Sequence, residues 1–261
     1  MDLSIIVTSF QRAHLLRWQL HSFLKQQGDF TFEIIVLNDG LEDNTQTICK
    51  QFSDKLPIRY IYTGHRNANG MKWRIPGFAI NIGLKQAVGD SVIITCAEMF
   101  LLEDTILQEY VKILKSNDKA IVSTDGKDDR QGFFLKMINQ HGGESLDYAL
   151  YEMDKKMGMH PLCTDYPFFL VINRQACLNI GGFDEDFLGY CWDDLDFVTR
   201  LKNSGCHSVK LPHRVVHLYH PRLRYGMQDV KDKWNYNETI YKANIHKLVR
   251  NEGREWGKLD A

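Results

Sequence analysis

The sequence predicts an α/β fold in which one mainly parallel, twisted sheet is covered by helices on both faces. Short apolar, β-branched runs alternate with segments whose apolar residues recur at helical spacing, which is the pattern of strand–helix–strand crossover units. The 261 residues also contain no internal repeat, low-complexity tract or obvious linker. Because a chain of this length can bury one large core, we expect a single domain.

The first 100 residues supply most of the predicted alternation. The run LSIIVTSF predicts a buried first strand, and leucines at helical spacing after it predict a helix that stops before Gly28. The unit then repeats, with further strands predicted at 32–39, 58–63 and 90–98 and further helices at 42–55 and 75–89. Strands joined through helices in this way are expected to run parallel.

The remainder of the chain is less regular. Residues 126–164 are rich in Gly, Met and charge, and are predicted to form a long irregular loop of the functional or mobile kind. Strand character returns in DYPFFLVINR, and two separate strand-like runs follow in HSVKLP and RVVHLYHP. Helices are predicted at about 194–204, closed by Gly205, and in the tail at 229–251, where apolar residues recur at helical intervals.

Composition and charge exclude several classes of protein. The formal net charge of −1 gives no reason to expect a nucleic-acid partner, and no apolar run approaches the roughly 18–20 residues that cross a bilayer. The N-terminus MDLSIIVTSFQR enters a strand-like run at once and is not expected to be a signal peptide. The six cysteines lack CxxC spacing, so we expect buried thiols in a reducing, cytoplasmic environment.

Polar residues that can bind a ligand follow several of the predicted strands. In open α/β sheets ligands bind at the carboxyl ends of the strands, so these residues are expected to share one edge. They are Thr8 and Arg12 after the first strand, Asp39 after the second, Glu98 after the strand that ends near residue 95, and His217 and His220 near the last strand. Neither GxGxxG nor GxxxxGK[ST] is present, so the phosphates of a bound nucleotide need a divalent metal with an Arg or Lys.

One ligand set for such a metal is Glu98 with His217 or His220. Carboxylate with imidazole suits Mn²⁺ better than Mg²⁺, and diphosphate oxygens with water can complete the shell. The alternative is a surface glutamate with two unrelated histidines.

The segment GGFDEDFLGYCWDDLDFVTRL, residues 181–201, crowds acids beside aromatic residues. Asp193, Asp194 and Asp196 fall in the first turn of the predicted helix, where the helix dipole favours anions. Asp193 or Asp194 is expected to cap that helix, and Asp196 is expected to pair with Arg200 at i+4. The Gly-Gly pair in front is expected to permit a turn that no side chain would tolerate. The alternative is that these acids only start a helix and the aromatics belong to the core.

Four segments, in the same order along the chain, resemble motifs of the family-2 inverting glycosyltransferases of the GT-A fold. They are SIIVTSFQR, VLNDGLED, NIGLKQAVGD and NIGGFDEDF followed by WDDLDFVTRL. The resemblance extends from about residue 3 to residue 220, and its last segment also occurs in galactosyl- and N-acetylgalactosaminyltransferases. It implies a GT-A-like domain with a small antiparallel extension, a nucleotide-sugar donor that is most often a UDP-sugar, and Mn²⁺ or Mg²⁺ as cofactor.

The resemblance also implies a division of labour along the chain. Residues 1–100 would form the nucleotide-binding half, residues 101–225 the metal and acceptor half, and residues 226–261 a helical tail. In the first half Asp39 would contact uracil or ribose, and Thr8 would line the base pocket with Arg12 beside it. An Arg that often precedes the Asn-x-Gly helix is replaced by Ile80, and Arg74 or Lys72 would supply its charge.

In the second half the resemblance assigns metal and chemistry. Glu98 would replace the second acid of the Asp-x-Asp motif, and His217 or His220 would be the later metal ligand. Asp194 would be the general base that takes the proton of the acceptor hydroxyl, while the metal stabilises the leaving diphosphate. The aromatic residues Phe187, Tyr190 and Trp192, with Asp193, would receive a sugar ring, because the apolar C–H face of a sugar packs on indole.

Two departures from the family pattern define the alternatives. Asn38 replaces the first Asp of the Asp-Asp-Gly turn, and Cys96-Ala97-Glu98 stands in place of Asp-x-Asp. A catalytically impaired, glycosyltransferase-like binding or scaffold domain is therefore the alternative to an active enzyme of polysaccharide or glycoconjugate synthesis. A nucleotidyltransferase would need a Gly-rich basic turn after the first strand, which TSFQRAHLL does not provide.

The expected acceptor is a carbohydrate or a lipid-linked glycan. Lys, Arg and Trp residues of the tail allow peripheral contact with the inner face of a membrane, or else form a solvated amphipathic face.

Overall fold

The computed structural model describes residues 1–40, 42–64, 75–142, 160–163, 165–189, 191–221 and 228–259. Nine strands form one sheet, and their bounds are β1 Leu3–Ser9, β2 Phe32–Asn38, β3 Ile58–Tyr62, β4 Ser91–Cys96, β5 Met99–Leu101, β6 Ala120–Asp128, β7 His160–Leu162, β8 Phe169–Asn173 and β9 His207–His217. The described helices are α1 Ala13–Leu24, α2 Thr45–Phe52, α3 Gly77–Gln86, α4 Ile106–Ser116, α5 Phe133–His141, α6 Arg174–Asn179, α7 Asp193–Asn203 and α8 Gln228–Asn244.

The sheet has the order β3-β2-β1-β4-β8-β6-β9-β5, and β7 pairs with β6. Strands β3, β2, β1 and β4 run parallel, as predicted from the crossover units of the first 100 residues. Strand β8 is antiparallel to both β4 and β6, while β6 and β9 are parallel. The N-terminal crossovers therefore build one half of the sheet, and β8 joins it to the half that carries β9.

Helices pack on both faces of this sheet, as predicted. Consecutive strand residues point to opposite faces, so Ile5 packs with Leu20 of α1 in one core cluster, while Ile6 packs with Ala79 of α3 and Phe197 of α7 in another. All of these side chains are fully buried. The two clusters fix α1, which follows Arg12, and α7, which carries Asp193 and Asp194, against opposite faces of the same sheet.

The prediction of one irregular loop at 126–164 is wrong in three parts, which are β6, α5 and β7, while residues 143–159 and 164 lie outside the described residues. Strand β6 continues to Asp128, and α5 follows it because Phe134, Met137 and Ile138 form a buried stripe at helical spacing. The structure also adds β5 and α4, for which the sequence analysis made no assignment.

The Gly-Gly pair forms the tight turn that the sequence predicted. Gly181 and Gly182 have φ angles of +76° and +66°, and a Cβ at Gly181 would lie 2.0 Å from the carbonyl oxygen of Arg250. Asn81 of α3 lies beside this turn and pairs with both backbone groups of Phe183, accepting from its N–H at 2.8 Å and donating to its carbonyl oxygen at 2.9 Å. The turn therefore allows a buried contact between α3 and the segment that leads to α7.

In the described ranges, no helix is both long and apolar enough to cross a membrane.

Candidate active site

The carboxyl ends of β1, β2 and β4 meet at one edge of the sheet. Thr8 of β1 is in register with Cys96 of β4, and its carbonyl oxygen accepts from the N–H of Ala97 at 2.9 Å. The N–H of Asp39 donates to the carbonyl oxygen of Ser9 at 2.8 Å. The parallel pairing therefore brings together the ends of the three strands after which the sequence analysis placed its candidate residues.

Two of the residues predicted to bind nucleotide are held in fixed positions at this edge. The Thr8 hydroxyl lies 3.4 Å from the carbonyl oxygen of Thr95. Asp39 is buried and accepts a hydrogen bond from the Thr63 hydroxyl at 3.1 Å. Arg74 lies outside the described residues.

Asn38 replaces a family Asp, and the structure shows what its amide does. Its Nδ2 lies 3.3 Å from Oδ1 of Asp43 and 3.1 Å from the Tyr60 hydroxyl. An amide can donate to the Asp43 carboxylate, whereas an ionised Asp in its place would repel it. Asp43 in turn accepts from the N–H of Thr45 at 2.8 Å and so supports the start of α2.

A cavity of about 480 Å³ opens between the first turns of α1 and α2. It is lined by Gln11, His14, Arg17 and Asp43 among others. Gln11 has a φ of 56°, a left-handed conformation that is uncommon for a residue with a side chain. The turn after β1 therefore presents polar groups that the sequence analysis did not identify.

Glu98 and the two predicted metal-binding histidines come together through the pairing of β5 with β9. Met99 is in register with His217, and the N–H of Leu218 donates to the carbonyl oxygen of Glu98 at 2.8 Å. As a result the Nε2 of His220 lies 3.9 Å from Oε1 of Glu98, and the rings of His217 and His220 lie 5.1 Å apart.

This donor set fits a divalent ion in part. Bonds of about 2.0–2.2 Å allow one ion to bridge two donors 3.9 Å apart, as are Glu98 and His220. Asp128 lies 3.3 Å from Nδ1 of His217, which is the arrangement that orients the other ring nitrogen of a metal-binding histidine. Within the described part of the chain, no three His, Cys, Asp or Glu side chains form a group that could hold a metal ion by themselves. Substrate oxygens or water would have to complete the shell.

Arg12 supplies a fixed positive charge in the same place. Its Nε lies 3.0 Å from Oε1 of Glu98, and its Nη2 lies 3.0 Å from Nδ1 of His220. Burial lowers the pKa of His220, with Arg12 adding to the effect against the opposing charge of Glu98. A neutral imidazole can accept from the guanidinium or bind a metal, so Arg12 and an ion would share these two partners.

Cys96 interacts electrostatically with Glu98, the predicted metal ligand, and with Asp194, the predicted base. Desolvation raises the pKa of its thiol well above the usual range, and the carboxylates of Glu98 and Asp194 both add to this rise. Cys96 is therefore a neutral thiol within electrostatic range of both acids. An aspartate at this position would place a third carboxylate among them, which gives a physical reason for the departure from the family motif.

Asp194 lies in the first turn of α7, and this turn begins in an unusual way. Cys191 and Trp192 have φ angles of 66° and 75°, so two consecutive residues with side chains adopt the left-handed region. Such strain persists where the surrounding structure imposes it, commonly at functional sites. The prediction that Asp193 or Asp194 caps the helix is wrong, because Trp192 is the N-cap residue and makes no side-chain capping bond.

The three acids of this turn have different surroundings. Asp196 is buried and pairs with Arg200 at 2.7 Å, as predicted, and also with Arg250 at 2.6 Å. Asp193 is buried, and its pKa lies well above the usual range because of desolvation and the neighbouring Asp194. Asp194 is only partly buried, and desolvation raises its pKa to about 6. Desolvation therefore opposes ionisation of both Asp193 and Asp194, and Asp194 is the more exposed of the two.

The aromatic residues of this segment differ from the predicted sugar platform. Phe187 is fully buried and belongs to the core, so its predicted role is wrong. Tyr190 lies outside the described residues. The ring of Trp192 contacts Trp234 and Tyr241 of α8, with ring centroids 5.6 and 5.1 Å apart. Contact of Trp192 and Asp193 with a sugar remains a prediction.

Sequence reasoning missed two side chains that support the site. Asp128 at the end of β6 holds His217, although 89 residues separate them in the chain. Asn237 of α8 is fully buried and pairs with Leu188 and Cys191, at distances of 2.8–2.9 Å. A polar residue that recurs at a helical interval with Trp234 and Tyr241 was the available signal for Asn237. Asp128 offered no local signal.

Comparison with known proteins gives two family matches. Residues 4–181 match the family model described as Glycosyl transferase family 2. Residues 168–222 match the model described as N-terminal domain of galactosyltransferase.

Two curated relatives are synthases from Pasteurella multocida. A chondroitin synthase from strain Pm70 is 23% identical over 235 residues, covering 79% of this chain and 23% of the relative. A hyaluronan synthase is 28% identical over 230 residues, covering 78% of this chain and 23% of the relative. The chain thus spans about a quarter of the length of these relatives.

Solved structures show the same fold. TarS 1-349 from S. aureus, in complex with UDP-GlcNAc, superposes with a TM-score of 0.60 at 15% identity, over 95% of this chain and 67% of that chain. The mannosyltransferase PcManGT from Pyrobaculum calidifontis, in complex with GDP-Man and Mn²⁺, has a TM-score of 0.56 at 17% identity, over 94% of this chain and 64% of that chain. The GT-A-like α/β fold expected from the sequence is confirmed.

Proposed function

Because the chain belongs to glycosyl transferase family 2, we propose that it transfers a sugar from a nucleotide-sugar donor to an acceptor hydroxyl with inversion. The observation that carries this proposal is Asp194, a partly exposed carboxylate with a pKa of about 6. It lies within electrostatic range of Cys96, the last residue of β4 and two residues before Glu98. A group with such a pKa is substantially ionised at neutral pH and can accept a proton.

The donor is proposed to be a UDP-sugar. The TarS complex with UDP-GlcNAc supports this choice, since that chain shares the fold over 95% of the present one. Thr8 and Asp39, at the ends of β1 and β2, are the proposed contacts to the nucleoside, and Arg74 is a further proposed contact. The synthase relatives support a role in making a polysaccharide or glycoconjugate, with a carbohydrate as acceptor. A lipid-linked glycan is a further proposed acceptor.

The proposed reaction forms two bonds and breaks two, because a proton transfer accompanies the exchange at the anomeric carbon. The acceptor hydroxyl gives its proton to Asp194 while its oxygen attacks the anomeric carbon, from the face opposite the leaving group. The bond from that carbon to the diphosphate breaks, and the nucleoside diphosphate leaves with the electron pair. Attack from the opposite face inverts the anomeric centre, so no enzyme nucleophile is required.

The negative charge that develops on the leaving diphosphate is stabilised by a nearby cation. Glu98 with His220 or His217 would hold the divalent ion, with Mn²⁺ favoured over Mg²⁺ by the imidazole ligands. When bound, the ion supplies Lewis-acid stabilisation of the diphosphate. Arg12 lies 3.0 Å from the Glu98 carboxylate and adds a permanent positive charge at the same place.

The test is release of UDP from a panel of UDP-sugars, measured with Mn²⁺, with Mg²⁺ and with EDTA. We expect slow donor hydrolysis that requires the metal, and an increase in Tm when UDP and Mn²⁺ are added together. Asp194→Asn should abolish transfer and keep the increase in Tm. Asp186→Asn is the matched control, because Asp186 precedes the same turn but is half exposed and pairs with Arg254.

Two results would reject the proposal. Retained transfer by Asp194→Asn would remove Asp194 from the reaction. Absence of any effect of nucleotide sugars on Tm or NMR spectra, with or without metal, would instead favour a binding or scaffold domain.

A cytoplasmic location is also proposed, because all six cysteines lie in the described ranges and carry free thiols, which persist in reducing compartments. Peripheral attachment to the inner face of a membrane stays a proposal, to be tested by sedimentation with lipid vesicles.

A further inference from the structure

Helix α8 is anchored directly to the loop that precedes the proposed base. Asn237 is fully buried, and its amide group accepts from the N–H of Leu188 at 2.9 Å and donates to the carbonyl oxygens of Leu188 at 2.8 Å and Cys191 at 2.9 Å. These bonds hold the backbone two residues before Asp193. The position of α8 is therefore fixed relative to the first turn of α7.

The same face of α8 presents aromatic rings to this turn. Trp234, Asn237 and Tyr241 recur at helical spacing, and Trp234 and Tyr241 both contact the ring of Trp192. Trp234 meets Trp192 at an interplanar angle of 72°, so the two rings do not cover each other's faces. Trp234 also remains 41% exposed.

The proposed base lies within range of the same aromatic group. The charges of Asp194 and Tyr241 both raise the pKa of Tyr166, after desolvation as the main cause. Asp194 follows Trp192 by two residues, and the ring of Trp192 contacts Trp234 and Tyr241 of α8. An acceptor hydroxyl within reach of Asp194 would place the rest of its sugar near α8.

Trp234 and Trp192 offer the two kinds of contact that proteins make with a sugar ring, an apolar surface and a hydrogen-bond donor. Trp234 has free apolar surface, which suits the C–H face of a pyranose. The Nε1 of Trp192 is buried and has no hydrogen-bond partner among the described residues. A buried donor without a partner is costly, so this N–H would gain a hydrogen bond if the turn moved to admit a sugar hydroxyl.

We propose that α8 forms the acceptor side of the active site, with Trp234 as the surface on which a pyranose ring of the acceptor stacks. This inference rests on the proposed function and names the acceptor class of that same site. Trp234 lies outside both matched family ranges, residues 4–181 and 168–222.

The test compares Trp234→Ala with Tyr236→Ala. Tyr236 is the matched control because it is an aromatic of α8 with 48% exposure, two residues away and hence on another face of the helix. The probes are p-nitrophenyl β-glycosides of glucose, galactose, N-acetylglucosamine and glucuronic acid. Their binding to the UDP-loaded protein is measured by saturation-transfer NMR. The acceptor KM is measured with each UDP-sugar that the protein is able to hydrolyse.

We expect Trp234→Ala to raise the acceptor KM or Kd about three- to tenfold, the effect of losing one aromatic stacking contact. Donor hydrolysis without acceptor should be unchanged in this variant, and Trp234→Tyr should recover most of the affinity. Tyr236→Ala should behave as the unaltered protein.

Several results would overturn the inference while leaving the proposed function intact. They are an unchanged acceptor KM in Trp234→Ala, equal losses in both alanine variants, or binding of none of the glycosides by a protein that hydrolyses a UDP-sugar. Loss of donor hydrolysis in both Trp234→Ala and Trp234→Tyr would also overturn it. So would a Trp234→Ala variant that binds the glycosides normally and loses only its binding to anionic phosphatidylglycerol vesicles. Failure of the proposed function is seen separately, as absent hydrolysis and absent UDP binding in the unaltered protein.

Discussion

Asp194 is a carboxylate whose local environment opposes its own ionisation. It stands in the first turn of α7, where the helix dipole favours a negative charge, yet desolvation raises its pKa to about 6. Because a base with a pKa near the working pH still accepts protons readily, this balance suits general-base catalysis.

We expect the transfer rate to rise as the pH increases through about 6 and to level off above about 7, as Asp194 becomes ionised. The stability effect has the opposite sign. Because the pKa in the folded protein is above the value of 3.8 for an unperturbed Asp, this group stabilises the fold below about pH 3.8, and the contribution is lost as the pH rises through about 6. Asp194→Asn removes the charge, so at pH 7.5 its Tm should equal or exceed that of the unaltered protein.

Rate profiles against pH and thermal unfolding of both proteins check this prediction. A rate that is flat between pH 5 and 8 in our assay, or a large fall in the Tm of the Asn variant, would contradict the assignment of this pKa to the base.

The neutral thiol of Cys96 predicts that this site binds a divalent metal ion weakly. Among the residues that the structure describes, only Glu98 and a histidine are present at ligand spacing, and the thiol is held neutral by desolvation and the nearby acids. Cys96→Asp restores the family's carboxylate, so we expect the Mn²⁺ concentration for half-maximal activity to fall about tenfold, since an added hard oxygen ligand strengthens binding of this ion. Manganese titration of donor hydrolysis measures the change, and Cys163→Asp at an exposed position is the control. An equal or higher manganese requirement in Cys96→Asp would show that position 96 does not face the ion.

At the scale of elements, α8 is held to the site by few contacts. Asn237 supplies three of them, and most other residues of the helix are exposed. The left-handed residues Cys191 and Trp192 depend on this support, because their backbone conformation costs roughly 1–3 kcal/mol each.

We therefore expect Asn237→Ala to lower kcat by at least tenfold while donor KM changes little, since the turn that carries Asp194 loses its support. Asn235→Ala, at an exposed position of the same helix, should have no effect. Steady-state kinetics with thermal unfolding check both variants. If the Asn237→Ala variant kept its kcat at a reduced Tm, the amide would serve folding alone.

The elements that sequence patterns predicted were those with strong local periodicity, namely the strands and helices of the first 100 residues. Strand β9 was predicted as two runs because Pro212 interrupts it. The structure keeps one strand, since the pairing with β6 shifts register between Leu211 and Arg214 and leaves Pro212 in the bulge. Proline is tolerated at such a bulge because no ladder hydrogen bond is required there.

At the scale of the whole molecule, a buried charge network joins the chain after α8 to the body of the protein. Arg250 lies 2.9 Å from Asp184 and 2.6 Å from Asp196, and all three side chains are nearly inaccessible. Arg200 shares Asp196 from the opposite side at 2.7 Å. The tail and the first turn of α7 are thus stabilised together.

Arg250→Ala would remove the positive charge that pairs with the buried carboxylates of Asp184 and Asp196. We expect the free energy of unfolding to fall by about 3–5 kcal/mol, the usual effect of breaking a buried pair. Lys210→Ala is the control, because Lys210 pairs with Asp125 at 3.2 Å where both side chains are more than half exposed, and it should cost about 1 kcal/mol or less. Denaturant unfolding at pH 7 compares the two, and equal losses would contradict a buried network.

The site could be predicted from sequence only where a motif carried it. Glu98, Asp194 and the histidines were found because they follow strands or match a family segment. Asp128 and Asn237 were missed because their partners are 89 and 46–49 residues away and neither residue lies in a segment that matches a family motif. Such contacts depend on the three-dimensional path of the chain.

The bond pair between Asn81 and Phe183 has a practical meaning for building hybrid enzymes from this family. The two residues sit 102 positions apart, on either side of any junction placed near residue 100. In a hybrid whose first half comes from one parent and whose second half comes from another, Asn81 and Phe183 would come from different parent sequences. Parents should therefore be chosen, or the junction repaired, so that position 81 and the glycine turn at 181–182 always descend from the same source.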